Sequence, residues 1–203
     1  MKTLNIKNQH KASQSGFTII ELVVVILLLG ILAATALPRF IDVTDEAHVA
    51  VVDALEGGMA SASALLHAEW IAEGGNGSSV SGYPNVPITS VTSGSNARGY
   101  AAVSSGSSCA NALDRMLQSG HPDVTGGSNS VASINALSSV QLTQASEAFT
   151  STPTVAAFYA TGPAACVYIY TADMTPASIA AGPIGAKYVT LGADGEVGRG
   201  ILQ

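Results

Sequence analysis

From Phe17 to Leu37 the chain is almost unbroken aliphatic sequence. Phe, Ile, Leu and Val fill 14 of these 21 positions, and Glu21 is the one charged residue among them. As a helix rising ~1.5 Å per residue the run would be about 31 Å long, close to the roughly 30 Å of a bilayer's hydrocarbon core. Each large aliphatic residue favours insertion by roughly 0.3–0.6 kcal/mol, against about 3 kcal/mol for one acid. The run therefore enters a membrane with its carboxylate aboard, and a carboxylate kept at that cost is read as functional.

Beyond Pro38 the pattern changes period. Apolar side chains recur at Ile41, Val52, Leu55, Met59, Ala62, Leu66 and Trp70, in steps of three and four from Val52 onward, while Asp42, Asp45, Glu46, Asp53, Glu56, Glu69 and Glu73 supply polar positions. That spacing predicts one face of a helix. Gly57-Gly58 interrupts the pattern, and Gly74-Gly75-Asn76-Gly77 marks its end. Pro38, which lacks an N–H and crowds the preceding turn, is expected to kink or weaken the long helix, and Gly30 adds backbone freedom. Residues 74–108 are rich in Gly, Ser, Asn and Pro and read as a connecting loop with a short strand at Tyr100–Val103. They include a glycosylation sequon at Asn76-Gly77-Ser78. Ala110–Gln118 reads as a short helix, His121-Pro122-Asp123 as a turn, and residues 128–152 fit either a helix or a strand.

The C-terminal quarter alternates differently. Val155–Tyr159 and Cys166–Tyr170, β-branched and aromatic, are separated by Thr161-Gly162-Pro163-Ala164, a hairpin pattern. Tyr188–Leu191 and Glu196–Leu202 flank Ala193-Asp194-Gly195, a second hairpin signal. The expected architecture is α+β: a long N-terminal helix, membrane-spanning and then amphipathic, packed from about Phe40 to Trp70 on one face of a sheet of about four antiparallel strands.

Charge narrows the partners. The 203-residue chain carries 8 basic and 14 acidic side chains, and three of the basic ones (Lys2, Lys7, Lys11) precede the apolar run. Without residues 1–16 the balance is 5 basic against 14 acidic, or −9. No grip on nucleic acid is expected from such a head, since binding phosphates needs clustered Lys and Arg. Lysines before the span favour an N-in, C-out orientation. The head then lies in an oxidising compartment, where Cys109 and Cys166 are expected to form a disulfide. Two cysteines alone cannot build a tetrahedral zinc site. His48 and His67 read as packed or surface histidines, and no metal or cofactor is expected. No Gly-x-Ser-x-Gly elbow, His-Glu-x-x-His or phosphate-binding loop is present, so the chain does not read as an enzyme.

Gly16-Phe17-Thr18-Ile19-Ile20-Glu21, with a basic stretch before it and a long apolar helix after it, resembles the type IV prepilin signature. The resemblance implies a leader, residues 1–16, cut after Gly16 by a prepilin peptidase, and methylation of the new N-terminus, Phe17, by an N-methyltransferase. It implies that Glu21 helps recruit each subunit into a helical filament of identical copies, aided by inner-membrane assembly machinery, and that the helix can loosen between Gly30 and Pro38. On this reading residues 17–37 are the membrane and assembly half of the helix and 38–73 its amphipathic half. Residues 74–203 are the head, with its sheet mainly in 154–202. The subunit would wait in the bacterial inner membrane and end in an extracellular pilus. Leu37-Pro38-Arg39-Phe40 and Ala165-Cys166-Val167-Tyr168-Ile169-Tyr170 resemble the mannose-sensitive haemagglutinin branch, whose pili serve attachment. Other readings are a type II secretion pseudopilin, a DNA-uptake pilin disfavoured by the acidic head, and a monomeric membrane-anchored binding module. An ordinary secretory signal peptide with an Ala-x-Ala site at Ala34-Thr35-Ala36 is countered by Glu21 at the start of the run and by the amphipathic pattern that follows it.

Overall fold

The structure is a computed structural model, and it describes residues 16–88, 99–131, 155–162, 164–172, 174 and 184–202. The expected leader, residues 89–98 of the expected loop and the ambiguous stretch 132–152 lie outside the described residues, apart from Gly16 at the expected leader's end. Two compact units divide the chain, one ending at Thr44 and the other running Asp45–Gln203.

A helix, α1, is assigned over Ile19–Ala72. From Ile19 to Leu37 every large aliphatic side chain of α1 is exposed, and an 18-residue window of the helix reaches a mean hydropathy of 2.8 with none of it buried. Gly30, Pro38 and the Gly57-Gly58 pair all lie inside the helical assignment, so none of them ends it. Gly74 and Gly75 do end it, with φ of +103° and +69°, conformations that glycine adopts without a Cβ penalty. The amide of Gly75 bonds back to the Trp70 carbonyl at 2.9 Å, and the Trp70 indole N–H donates to the Gly77 carbonyl at 2.8 Å. Hydrogen bonds from the Ser81 hydroxyl and amide hold the Glu73 carboxyl below the usual range.

In the second unit, helix α2 (Gly106–Leu117) and strands β1 (Val124–Val131), β2 (Val155–Thr161), β3 (Ala164–Tyr170), β4 (Lys187–Gly192) and β5 (Val197–Ile201) follow α1. They form one five-stranded sheet in sequence order, antiparallel except for the parallel pair of β1 and β2. The two expected hairpins are present. The β2–β3 strands meet at Thr161 and Ala164, and the β4–β5 turn is closed by Gly195 at φ +81° with the Glu196 amide donating to Asp194 Oδ1 at 3.1 Å. The expected strand at Tyr100–Val103 is reduced to one bridge between Ala101 and Ile88.

The fifth strand, β1, departs from the expected four. Its sequence, Val-Thr-Gly-Gly-Ser-Asn-Ser-Val, is poor in strand formers. A side chain at Gly126 would collide with the Gly106 carbonyl and the Ala110 methyl, so this strand tolerates glycine because α2 lies directly on it. α2 also begins earlier than expected, at Gly106. Ser105 caps it in a reciprocal arrangement, the Ser108 amide donating to Ser105 Oγ at 3.1 Å and the Ser105 amide to Ser108 Oγ at 2.9 Å.

Both faces of the sheet are buried. One face contributes Val155, Ala157, Cys166, Tyr168, Val189 and Leu191 to a core shared with Val52, Leu55, Met59, Ala62, Leu66 and Trp70 of α1 and with α2. The periodic face read from the sequence is thus the packed one, but cover begins near His48 and Val52. Phe40 and Val43 are exposed. The expected packing from Phe40 is corrected accordingly, because the burial of α1 against the head begins only in the second unit. The opposite sheet face forms a second core of Ala156, Phe158, Val167 and Ile169 with Val131, Ala186 and Leu202. Double burial explains why β3 is apolar at every position rather than alternating.

Cys109 of α2 and Cys166 of β3 form the expected disulfide, Cα to Cα 5.3 Å, across a separation of 57 residues. Such a closure stabilises a fold by about 4 kcal/mol in the chain-entropy treatment. Beside it the buried Tyr168 hydroxyl donates to the Cys109 carbonyl at 2.9 Å. Burial pushes the Tyr168 phenol far above its ordinary value. Its contribution is therefore complete below the unfolded-state value near 10 and falls away as pH rises past that point. Stability of the purified protein, followed by denaturant unfolding between pH 8 and 11.5, is expected to drop above about pH 10. In Tyr168→Phe the drop is shallower, and stability at pH 8 falls by about 1 kcal/mol for the lost hydrogen bond.

Candidate functional site

The functional segment suggested by the sequence begins at Gly16. A Cβ at Gly16 would meet nothing within 4 Å, and Phe17 beside it is 91% exposed. The bond between them is open on all described sides. The next four residues build the start of α1. Glu21 Oε2 accepts hydrogen bonds from the Thr18 amide and the Thr18 hydroxyl, both at 3.0 Å, while Thr18 Oγ1 accepts from the Glu21 amide at 3.3 Å. This Thr-x-x-Glu capping box satisfies donors that a helix start leaves unpaired, and it sets a carboxylate against the positive end of the helix dipole.

Thr18 is the functional residue that the sequence reading passed over, although its signal, a threonine three residues before a glutamate and ahead of an apolar run, was in plain view. The capping box gives Glu21 a role within its own subunit, the alternative to a role in assembly. It does not consume the carboxylate: among the described residues both bonds go to Oε2 and none to Oε1.

Gly30 is exposed with nothing within 4 Å of a built Cβ. Pro38, with no N–H to give, leaves the α1 ladder one bond short. One turn earlier, Thr35 Oγ1 donates back to the carbonyls of Ile31 and Leu32 at 3.3 and 3.0 Å, satisfying its own hydroxyl within the helix. The structure therefore places Gly16, Phe17 and Glu21 together at one helix end, and Gly30 and Pro38 farther along the same helix. Cys109 and Cys166 are in the head.

The histidines make local contacts. His48 Nδ1 lies 2.9 Å from the Tyr170 hydroxyl, His67 stacks on Tyr100 with ring centroids 4.2 Å apart, and His121 lies 3.7 Å from Asp114. Among the described residues no cluster of three or more His, Cys, Asp or Glu is arranged to hold a metal ion.

The family pattern described as the prokaryotic N-terminal methylation motif matches residues 11–37. The chain carries a prepilin motif. The relatives agree with it. The type IV narrow pilus major component PilA5 of Thermus thermophilus is 54% identical over 50 residues, 25% of this chain and 43% of that protein. A fimbrial protein of Neisseria meningitidis serogroup B is 48% identical over 60 residues, 28% of this chain and 35% of that protein. The type II secretion system core protein G of Pseudomonas aeruginosa is 49% identical over 42 residues, 21% and 30% of the two chains. The chain spans less than half the length of each of these relatives. No solved structure matches it. The similarity to these relatives covers 50, 60 and 42 residues of the chain respectively.

Thr18→Ala removes the hydroxyl that donates to Glu21 Oε2 and accepts from the Glu21 amide, and leaves the residue-18 backbone amide in place. A capping loss of about 1 kcal/mol is expected, read as about five-fold faster amide hydrogen exchange at Leu22 and its neighbours in detergent micelles. Unchanged exchange would mean that the cap does not hold the first turn.

Proposed function

We propose that this chain is a structural subunit of a type IV pilus, made as a prepilin, cleaved after Gly16 by a prepilin peptidase and N-methylated at Phe17 by an N-methyltransferase. It is held in the inner membrane by residues 17–37 with its head outside, and then polymerised by inner-membrane assembly machinery into a surface filament. The observation that carries this reading is the stretch of α1 from Ile19 to Leu37, exposed large aliphatic residues whose single carboxylate, Glu21, stands near its start. Such a surface is covered either by lipid or by other copies, and the prepilin motif supports both in succession.

The chemistry of Glu21 explains how register is chosen. Cleavage creates a cationic amine at Phe17, one residue before the Thr18 amide that already caps onto Glu21. In a dry helical core an unpaired carboxylate costs several kcal/mol. An incoming subunit whose amine reaches a waiting Glu21 removes that cost, and near misses in axial position do not. N-methylation leaves the amine charged, so the pairing survives it.

Attachment to surfaces is the use we assign to the filament, supported by the resemblance of Leu37–Phe40 and Ala165–Tyr170 to the mannose-sensitive haemagglutinin branch. A short pseudopilin piston is the second reading, favoured by the relative from type II secretion. The disulfide-braced head and its long Gly/Ser-rich stretch favour the pilus.

In producing cells, Glu21→Ala is expected to leave membrane insertion intact while lowering sheared filament yield at least ten-fold, and normal filament numbers would remove the assembly role. Gly16→Glu is expected to retain the leader, visible as an unprocessed mass; a mature-size product would reject the assigned cleavage site.

A further inference from the structure

Where residues 80–86 meet the C-terminal end of α2, the second unit has an open cleft. Gly82, Tyr83, Pro84, Asn85, Arg115 and Gln118 line it, and its volume is about 360 Å³. Small-molecule sites run from roughly 300 to 1,000 Å³. The walls are held in place from several sides. The Ser81 and Gly82 amides donate to Glu73 Oε1 and Glu69 Oε1 at 3.0 and 2.6 Å. The Val86 amide closes a turn onto the Tyr83 carbonyl at 3.1 Å. From the other wall, an Arg115 N–H donates to the Asn85 carbonyl, and the Gln118 side-chain amide donates to the Gly82 carbonyl at 3.3 Å. A site fixed in this way has little freedom to lose when a ligand arrives.

Two features point to a ligand. Gln118 is the one non-glycine residue with a positive φ among the described residues, at φ +55° and ψ −37°. Across it the Ser119 amide bonds to the Leu117 carbonyl at 2.5 Å, a strained γ-turn. Backbone strain of this kind gathers at ligand sites, and here it falls on a residue that lines the cleft. The other feature is charge. Arg199 is held by Asp53 and Glu56, whereas Arg115 meets no carboxylate among the described residues. The acids nearby are engaged: Glu69 and Glu73 hold backbone amides, and Asp114 lies 3.7 Å from His121. The Arg115 guanidinium, with most of its N–H groups still to give, thus stands unneutralised in an acidic head.

We propose that this cleft binds an acidic saccharide, Arg115 pairing with its carboxylate while Asn85, Gln118 and Tyr83 hold its ring. A planar carboxylate takes two parallel N–H bonds from one guanidinium. Phosphate groups are recognised by clusters of arginine, and this cleft has one. The amides of Asn85 and Gln118 each offer donors and an acceptor, which suits neighbouring sugar hydroxyls. Half-buried Tyr83 adds an aromatic wall for the C–H face of a pyranose. An apolar ligand is disfavoured, because the cleft is open and its walls are mostly polar. The inference rests on the attachment reading above for its use, and it names the class of polymer that the filament holds.

The test uses the full chain purified in detergent. Glucuronate is the probe, with glucose and inorganic phosphate as controls, and binding is read from the NMR shifts of the Gly82, Asn85, Arg115 and Gln118 N–H groups. Glucuronate is expected to shift them with half-saturation on the order of 1 mM, and glucose to bind about ten-fold more weakly for want of the charged pair. Arg115→Gln is expected to weaken glucuronate about ten-fold at unchanged Tm and to leave glucose as it was. Asn85→Ala, which keeps the carbonyl that Arg115 uses, is expected to weaken both sugars at unchanged Tm, and it serves where Arg115→Gln does not fold. Gln118→Gly is expected to weaken binding with Tm at or above that of the parent, because glycine takes a positive φ without strain. Absence of shifts with glucuronate, equal affinity for glucose, tighter binding of phosphate, or undiminished glucuronate binding by the folded variants would each overturn the proposal without touching filament assembly. A chain that binds glucuronate in this way but forms no filaments would overturn the attachment reading and leave the site.

Discussion

The constraint on which the structure turns is an apolar helix that none of the described residues covers. In the first unit, α1 exposes every large aliphatic side chain it has from Ile19 to Phe40. At about 25 cal/mol per Å² of apolar surface removed from water, leaving a helix of this kind in solvent is untenable. On the proposed reading a membrane covers it until other helices do. The capping box at Thr18 and Glu21 and the back-bonded hydroxyl of Thr35 follow from the same constraint. In lipid or in a dry core each polar group must find its partner within the helix.

The head answers the opposite problem. It must hold the second half of the same helix firmly on one side only. The sheet accomplishes this by being buried on both faces, with the disulfide and the Tyr168 hydroxyl tying α2 to β3 beside the helix. The Arg199 pair with Asp53 and Glu56 adds a polar clasp from β5 at the border of the contact. With the buried side of α1 fixed in this way, its other side remains free for a neighbour.

Much of this was legible in the sequence because it depends on periodicity and on a few strong local signals. The steps from Val52 to Trp70 named the packed face, and the Gly74-Gly75 stop fell where the chain turns. The two hairpins of the sheet were equally plain, and so was the pairing of Cys109 with Cys166. What was not legible depends on tertiary contact. β1 looks like loop because Gly126 answers to α2 rather than to any strand preference. α2 starts four residues before its apolar pattern because Ser105 and Ser108 cap each other. At the candidate site the motif pointed to Gly16, Phe17 and Glu21 directly, whereas the Thr18-x-x-Glu21 capping spacing, equally present in the sequence, was passed over until its hydrogen bonds were seen.

The most direct test of the account is a cryo-electron-microscopy reconstruction of filaments sheared from the cell surface. The account predicts a shaft whose core consists of residues 17–37 from many copies, with their aliphatic side chains buried against one another and the heads outside. Filaments whose core is built from the sheets of the heads, with the apolar helix absent or left in the membrane, would contradict it.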